Sequence, residues 1–420
     1  MGENLSLSAE PWMKRFVSLL PLRAGGAWRG TKPCARRFRK GRSTIKGRDI
    51  MKKELVLWPL TLLACACDNG SGQAAGQAQQ SSPSAGSSAA PAADPRAGDL
   101  ARINQALPLP SGVAPTPAPT PARTGTQPAP DPFIIRAEVL LARARFSPGV
   151  IDGKLGTNLR HAVAAFQSAH DLPGNGAIDG KTWQALLAQA QGGRGVAQIY
   201  TLTPQDVQGP FAPDVGEDFV KLAALPGGPQ YSTPLEALAE RFHMSQDLLK
   251  ALNPGVDVTK AGQRLLVVDA NAPAFAKGDV ARIEVAKAEE SVRAYGKDGT
   301  LIAFYPATVG STERPSPSGD HKVVGVAWHP DYTYDPAKLK WGPRSAGKLV
   351  IKPGPNNPVG AVWIDLNAPS YGLHGTPEPD NIGKTASHGC VRMTNWDVQA
   401  LAGGVLPGIA VNFLGSREAA

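Results

Sequence analysis

From Asp68 to about Pro130 the chain is written almost entirely in Ala, Pro, Ser, Gly and Gln, with runs such as APTPAPTPA. A stretch this poor in large apolar side chains has little burial to offset the entropy lost on ordering. It is expected to be a disordered tether, extended where Pro is dense. The 420 residues allow two to four domains, and the tether confines the folded ones to the region after it.

What precedes the tether carries the whole charge excess. The formal charge is +9, and residues 1–50 hold 12 Lys/Arg against 3 Asp/Glu. The rest of the chain is balanced, at 32 of each. No basic stripe interleaved with aromatics remains, which argues against a nucleic-acid partner. After Met51 come Lys52 and Lys53, then an apolar run from Leu55 to Leu63 that is too short to span a bilayer. Leu62-Leu63-Ala64-Cys65 resembles the lipobox of bacterial lipoproteins. That resemblance implies cleavage before Cys65, lipidation of its thiol, and a membrane partner through the lipid. Residues 51–64 then form a signal peptide, 65–130 the tether, and 1–50 an upstream extension absent from the mature protein. Cys67 offers a weaker second lipobox. Once Cys65 is lipidated, Cys390 has no evident disulfide partner in an exported chain.

The first folded unit is expected over 131–192. Helical spacing runs from Phe133 to Phe146 and again from Asn158 to His170. Ile-Asp-Gly-Lys occurs twice, at Ile151–Lys154 and Ile178–Lys181, the second leading into Thr182-Trp183. Asp152-Gly153, Gly156, Ala162-Val163, Phe166-Gln167, Asp179, Thr182-Trp183 and Leu186 resemble the peptidoglycan-binding domain 1 family, a three-helix module. Over 197–269, LEALAERFHMSQDLLKALNP is followed by AGQRLLVVD. Leu248, Leu252, Asn253-Pro254, Gly262 and Leu265 resemble a LysM module, with two strands flanking two helices. An insertion from about Val207 to Ser232 replaces the usual opening turn.

The last unit, 278–416, alternates as strands do, with a hairpin signal at Gly296–Gly299 and a capping box at Thr394–Asp397. Within YGLHGTPEPDNIGKTASHGCVRM, His388 and Cys390 are two apart, a spacing that puts both on one face of a strand. Arg392 continues that face, and the loop after His374 can return His374 to it. Nearby cationic groups would stabilise a thiolate and make Cys390 a nucleophile. Backbone amides near Gly389 could hold an oxyanion. Spacing alone leaves open a buried spectator thiol, or a zinc site of His374, His388 and Cys390.

HGT followed by SHGCVR is similar to the signature of the L,D-transpeptidase (YkuD-type) catalytic family. Ser316–Gly319, Asn357–Gly360 and Tyr371–Thr376 resemble three more of its motifs. The resemblance implies a multidomain α+β chain whose catalytic domain is a β-rich sandwich with a cleft. It implies Cys390 as nucleophile, His374 as general acid/base, the Gly389 carbonyl orienting that imidazole, and His388 beside the thiolate. Arg392, Tyr371 and Ser387 would bind substrate, with no metal and no cofactor. The implied partner is peptidoglycan, both glycan strands and stem peptides. The implied reaction forms 3–3 crosslinks. The same residues would serve an L,D-carboxypeptidase with water as acceptor, or a variant that attaches a protein's Lys to the wall. A non-catalytic wall anchor is the alternative of a different class.

Overall fold

The computed structural model describes residues 94–108, 129–190, 193–311, 314–337, 345, 347–385, 387 and 389–415. Cys65, the signal segment, the upstream extension, most of the expected tether and His388 lie outside the described residues.

One part of the expected tether is ordered. Helix α1 (Ala97–Gln105) buries Ile103 and packs on the helical module. Its Asn104 side chain donates to Ala197 O at 3.0 Å and accepts from Ala197 N at 2.9 Å, as a paired strand would. Leu100 and Ile103, one turn apart, suffice to dock one short helix. Average composition across the tract conceals them.

Helices α2 (Pro132–Arg143), α3 (Thr157–Ala169) and α4 (Gly180–Gln189) make the small bundle. Asp131 caps α2 by accepting from Phe133 N, with Pro132 in the first turn, and Asp179 caps α4 by accepting from Thr182 N. The repeated Ile-Asp-Gly-Lys serves two ends. At its second copy it starts a helix. At its first, Gly153 N donates to buried Glu138 at 2.9 Å and Ile151 bridges to Met244.

Strand β1 (Ala197–Thr201) pairs antiparallel with β2 (Arg264–Val268). Between them lie α5 (Pro204–Gln208), α6 (Phe219–Ala224), α7 (Pro234–Arg241) and α8 (Gln246–Leu252). Buried Asn253 ties α8 to β2. It donates to Leu249 O and Leu266 O and accepts from Leu266 N.

The last unit contains β3 (Arg282–Ala286), β4 (Ser291–Tyr295), β5 (Leu301–Pro306), β6 (Gly319–Trp328), β7 (Tyr332–Tyr334) and β8 (Leu349–Ile351). It continues through β9 (Val362–Leu366), β10 (Gly372–His374), β11 (Val391–Arg392), α9 (Asn395–Gly404) and β12 (Ala410–Leu414). Eight strands form one sheet in the order β11-β10-β9-β6-β12-β3-β4-β5, while β7 and β8 pair only with each other. The long β6 serves both halves: its start pairs with β12 and its end with β9, with a register shift between Val323 and Gly325. Beyond β5, Thr308 and Arg392 exchange backbone hydrogen bonds at 2.9 Å, so the chain leaving one edge strand reaches the other. The expected sandwich is thus a single sheet curled round one core, which Val285, Val292, Ile364, Leu373 and Val411 share.

The units are fused. Phe304 N donates to Arg145 O and Ser147 N to Phe304 O, both at 2.9 Å, so the segment after α2 extends the β5 edge. The Ser147 hydroxyl reaches Asp397 at 3.0 Å. His243 stacks on Trp396 with ring centroids 4.9 Å apart.

Candidate active site

Strands β10 and β11 run parallel, with Leu373 opposite Val391 and His374 opposite Arg392. Leu373 and Val391 are buried in the core. Alternation therefore turns His374 and Arg392 to the other face. Cys390, one residue before Val391, shares that face, and the Gly372 amide donates to its sulfur. The structure thus brings His374, Cys390 and Arg392 together as the spacing suggested.

His374 is 4% exposed. Its Nδ1 lies 2.7 Å from Gly375 O and donates to that carbonyl. Burial, then the Arg392 guanidinium, pulls the imidazole down to about 3, against the Gly375 bond. The ring is therefore neutral at ordinary pH, and with the proton on Nδ1 its Nε2 is a free base. Trp363 stacks against it, with centroids 5.4 Å apart and planes 20° apart. The Trp363 ring also lies across Gly372, where an added Cβ would sit 2.6 Å from indole carbons. Sequence reasoning passed over Trp363. Its signal was its phase, since it alternates with core-facing Val362 and Ile364 and must face outward.

The orienting carbonyl belongs to Gly375 and not, as expected, to Gly389. Gly389 adopts φ 118°, and its carbonyl accepts from the Ser316 hydroxyl at 2.7 Å. A residue with a side chain would be strained there and would meet the Tyr371 ring at 3.0 Å. The Gly389 amide donates to Ser387 Oγ at 3.2 Å.

Ser387, expected at the substrate, lies on the same turn. Its buried hydroxyl donates to Cys390 O at 2.5 Å and so ties the turn before the thiol. Tyr371 lies on that turn through its contact with Gly389.

Cys390 is half-buried, with Sγ 3.5 Å from Ser370 O. Burial pushes its thiol up to about 11, outweighing the Gly372 amide and Arg392, which favour thiolate. On this balance the thiol and the imidazole both favour their neutral forms, with His388 outside the described residues. The phenol of Tyr332, another residue the sequence did not single out, is raised by burial and by the charge of a Cys390 thiolate. Among the described residues, no group of three or more His, Cys, Asp or Glu side chains is placed to hold a metal ion.

Residues 280–412 match the family described as "L,D-transpeptidase catalytic domain", and residues 131–186 match "Putative peptidoglycan binding domain". The chain is 31% identical over 182 residues to "Putative L,D-transpeptidase YkuD" of Bacillus licheniformis, covering 42% of this chain and 92% of that protein. It is 29% identical over 197 residues to "Probable L,D-transpeptidase YbiS" of Escherichia coli, covering 43% of this chain and 60% of that one. Among solved structures, the L,D-transpeptidase from Xylanimonas cellulosilytica covers 70% of this chain and 100% of its own, at 17% identity and a TM-score of 0.30. L,D-transpeptidase 3 from Mycobacterium tuberculosis covers 36% of this chain and 67% of its own, at 14% identity and a TM-score of 0.28.

Proposed function

The chain belongs to the L,D-transpeptidase family of cell-wall enzymes, and on that premise we propose that it crosslinks peptidoglycan stem peptides through a thioester on Cys390. The thiol attacks the carbonyl of the third residue of a stem tetrapeptide. Its proton passes to His374 Nε2 as the C–S bond forms. The intermediate expels terminal D-Ala, whose amine takes that proton. An amine of a second stem then attacks the thioester, loses a proton to His374, and leaves a 3–3 crosslink. His374 returns the proton to the thiolate. Because thiol and imidazole rest neutral, proton transfer accompanies attack instead of preceding it.

One observation carries this reading. The Gly375 carbonyl fixes the proton on Nδ1 and leaves Nε2 basic, on the sheet face that Cys390 shares. Arg392, placed opposite His374, is proposed as the cation that meets substrate carboxylate. The pairing of β1 and β2 around α7 and α8 supports a LysM-like, glycan-binding role for that unit. Lipidation at Cys65 belongs to the same proposal and rests on the lipobox alone.

The test uses the full chain with disaccharide-tetrapeptide, products being read by mass spectrometry beside Cys390→Ala. Crosslinked dimers that vanish in the variant support the proposal. Tripeptide without dimer makes the enzyme a carboxypeptidase. Crosslinking that survives in Cys390→Ala overturns the nucleophile assignment.

A further inference from the structure

The insertion in the LysM-like unit has an evident structural partner. Phe219, Leu222, Tyr334 and Ile351 form a small core of their own, with Val215, Ala223, Leu225, Tyr332 and Leu349 packed on it. Half of this core comes from 215–225 and half from the β7–β8 hairpin. Phe219 stacks on Tyr334, with centroids 4.9 Å and planes 14° apart, and tilts against Tyr332 at 5.8 Å. Asp218 caps α6 by accepting from Val220 N and Lys221 N, which seats Phe219 at the start of that helix. The contact continues beyond β8. Lys352 Nζ donates to Pro226 O at 2.8 Å, and Asn356 N to Pro229 O at 3.0 Å.

Among the described residues, the hairpin stands apart from the main sheet. Each strand is three residues long, and neither joins the eight-stranded sheet. A two-stranded ribbon of this length does not hold itself in water. Its outer face, Thr333 and Val350, is exposed, so its apolar contacts lie on the face toward α6. Yet this hairpin carries Tyr332, whose phenol lies in the electrostatic field of both Cys390 and Arg392.

We propose that the 215–225 segment is a built-in brace for the β7–β8 hairpin, with Phe219 the positioning residue that fixes the Tyr332 and Tyr334 rings. The proposal rests on the reading of Cys390 as nucleophile. It makes the unit between β1 and β2 part of the catalytic apparatus, acting through the hairpin and not only through any glycan it binds.

Phe219→Ala and Phe219→Leu in the full chain test it, by hydrogen–deuterium exchange, turnover, and the pH profile of Cys390 alkylation by iodoacetamide. In Phe219→Ala, exchange at 332–334 and 349–351 should quicken about tenfold or more, with β9 and β10 unchanged. Turnover should fall about tenfold or more through kcat. The alkylation midpoint should move down toward an ordinary thiol, since water reaches the sulfur once the hairpin loosens. Phe219→Leu, which keeps the burial, should stay within about threefold of the parent. Unchanged hairpin exchange overturns the brace. Faster hairpin exchange with turnover and alkylation midpoint unmoved overturns its catalytic role. If Phe219→Ala loses protection everywhere, Phe219→Leu is read in its place, and a general loss there also overturns the proposal. Exchange and alkylation need no turnover, so they judge the brace even if Cys390→Ala still crosslinks and the functional reading fails.

Discussion

His374 and Arg392 stand directly opposite one another in the parallel pair β10–β11, an imidazole and a guanidinium on one face of the sheet. A base placed beside a fixed positive charge resists protonation. That position, together with burial, brings His374 down to about 3 and keeps it competent as a base in mildly acidic surroundings.

Arg392→Gln should therefore raise the His374 pKa, moving the acid limb of the kcat/KM profile to higher pH. It should also raise the Cys390 thiol further, because Arg392 favours the thiolate. The first movement leaves the ring unprotonated at neutral pH, so it is the thiol shift and the loss of the cation proposed to meet substrate that oppose catalysis there, and turnover at neutral pH should fall about tenfold or more. A pH–rate series on parent and variant checks both signs.

The Cys390 thiol, pushed up to about 11, should be sluggish toward small electrophiles. Alkylation by iodoacetamide should rise about tenfold per pH unit from roughly pH 6 to 10. A plateau below about pH 8 would show instead a preformed thiolate–imidazolium pair.

Ser316 ties the segment after β5 to the turn that carries Cys390. Its hydroxyl accepts from Gly310 N at 2.8 Å and donates to Gly389 O at 2.7 Å. Ser316→Ala leaves both buried groups without these bonds, at a cost of about 2 kcal/mol. It also loosens the turn that carries Cys390. Urea unfolding should show the lost stability, and kinetics should show kcat falling more than KM rises.

Asp397, buried where Ser147 meets it, has its carboxyl raised to about 7 by burial. The folded state thus keeps a proton that the unfolded chain releases above 3.8. This contribution is fully present below that value and is lost as pH rises through about 7, by at most about 1.4 kcal/mol per unit. Asp397→Asn should gain on the parent as pH rises from about 4 to 7. His243 and His374, both lowered, work in the opposite direction, but equally in both proteins. Paired urea midpoints at the two ends of the window give the sign.

Local patterns were legible in the sequence. The second Ile-Asp-Gly-Lys starts a helix as read, and His374 reaches the Cys390 face because its strand alternates as written. Helix α1 was not legible, since two apolar residues in a Pro- and Ala-rich tract carry no periodicity until a partner surface exists. Nor was the exchange of Gly389 for Gly375. Which carbonyl faces an imidazole depends on backbone torsions such as the positive φ of Gly389 and on where Ser316 lands. The thiol's upward shift escaped for a related reason. Neighbouring charges can be counted along a strand, whereas burial is set by segments distant in sequence.

The backbone pairing of Arg145 and Ser147 with Phe304 has a further consequence. It leaves no hinge between the small bundle and the curled sheet at that point. If the bundle grips a glycan strand and Cys390 is the nucleophile, as proposed, the nucleophile stands at a set displacement from the grip. On that reading the protein works as a caliper on the wall. The interval between the anchoring sugar and the new bond would then be fixed by two amide contacts.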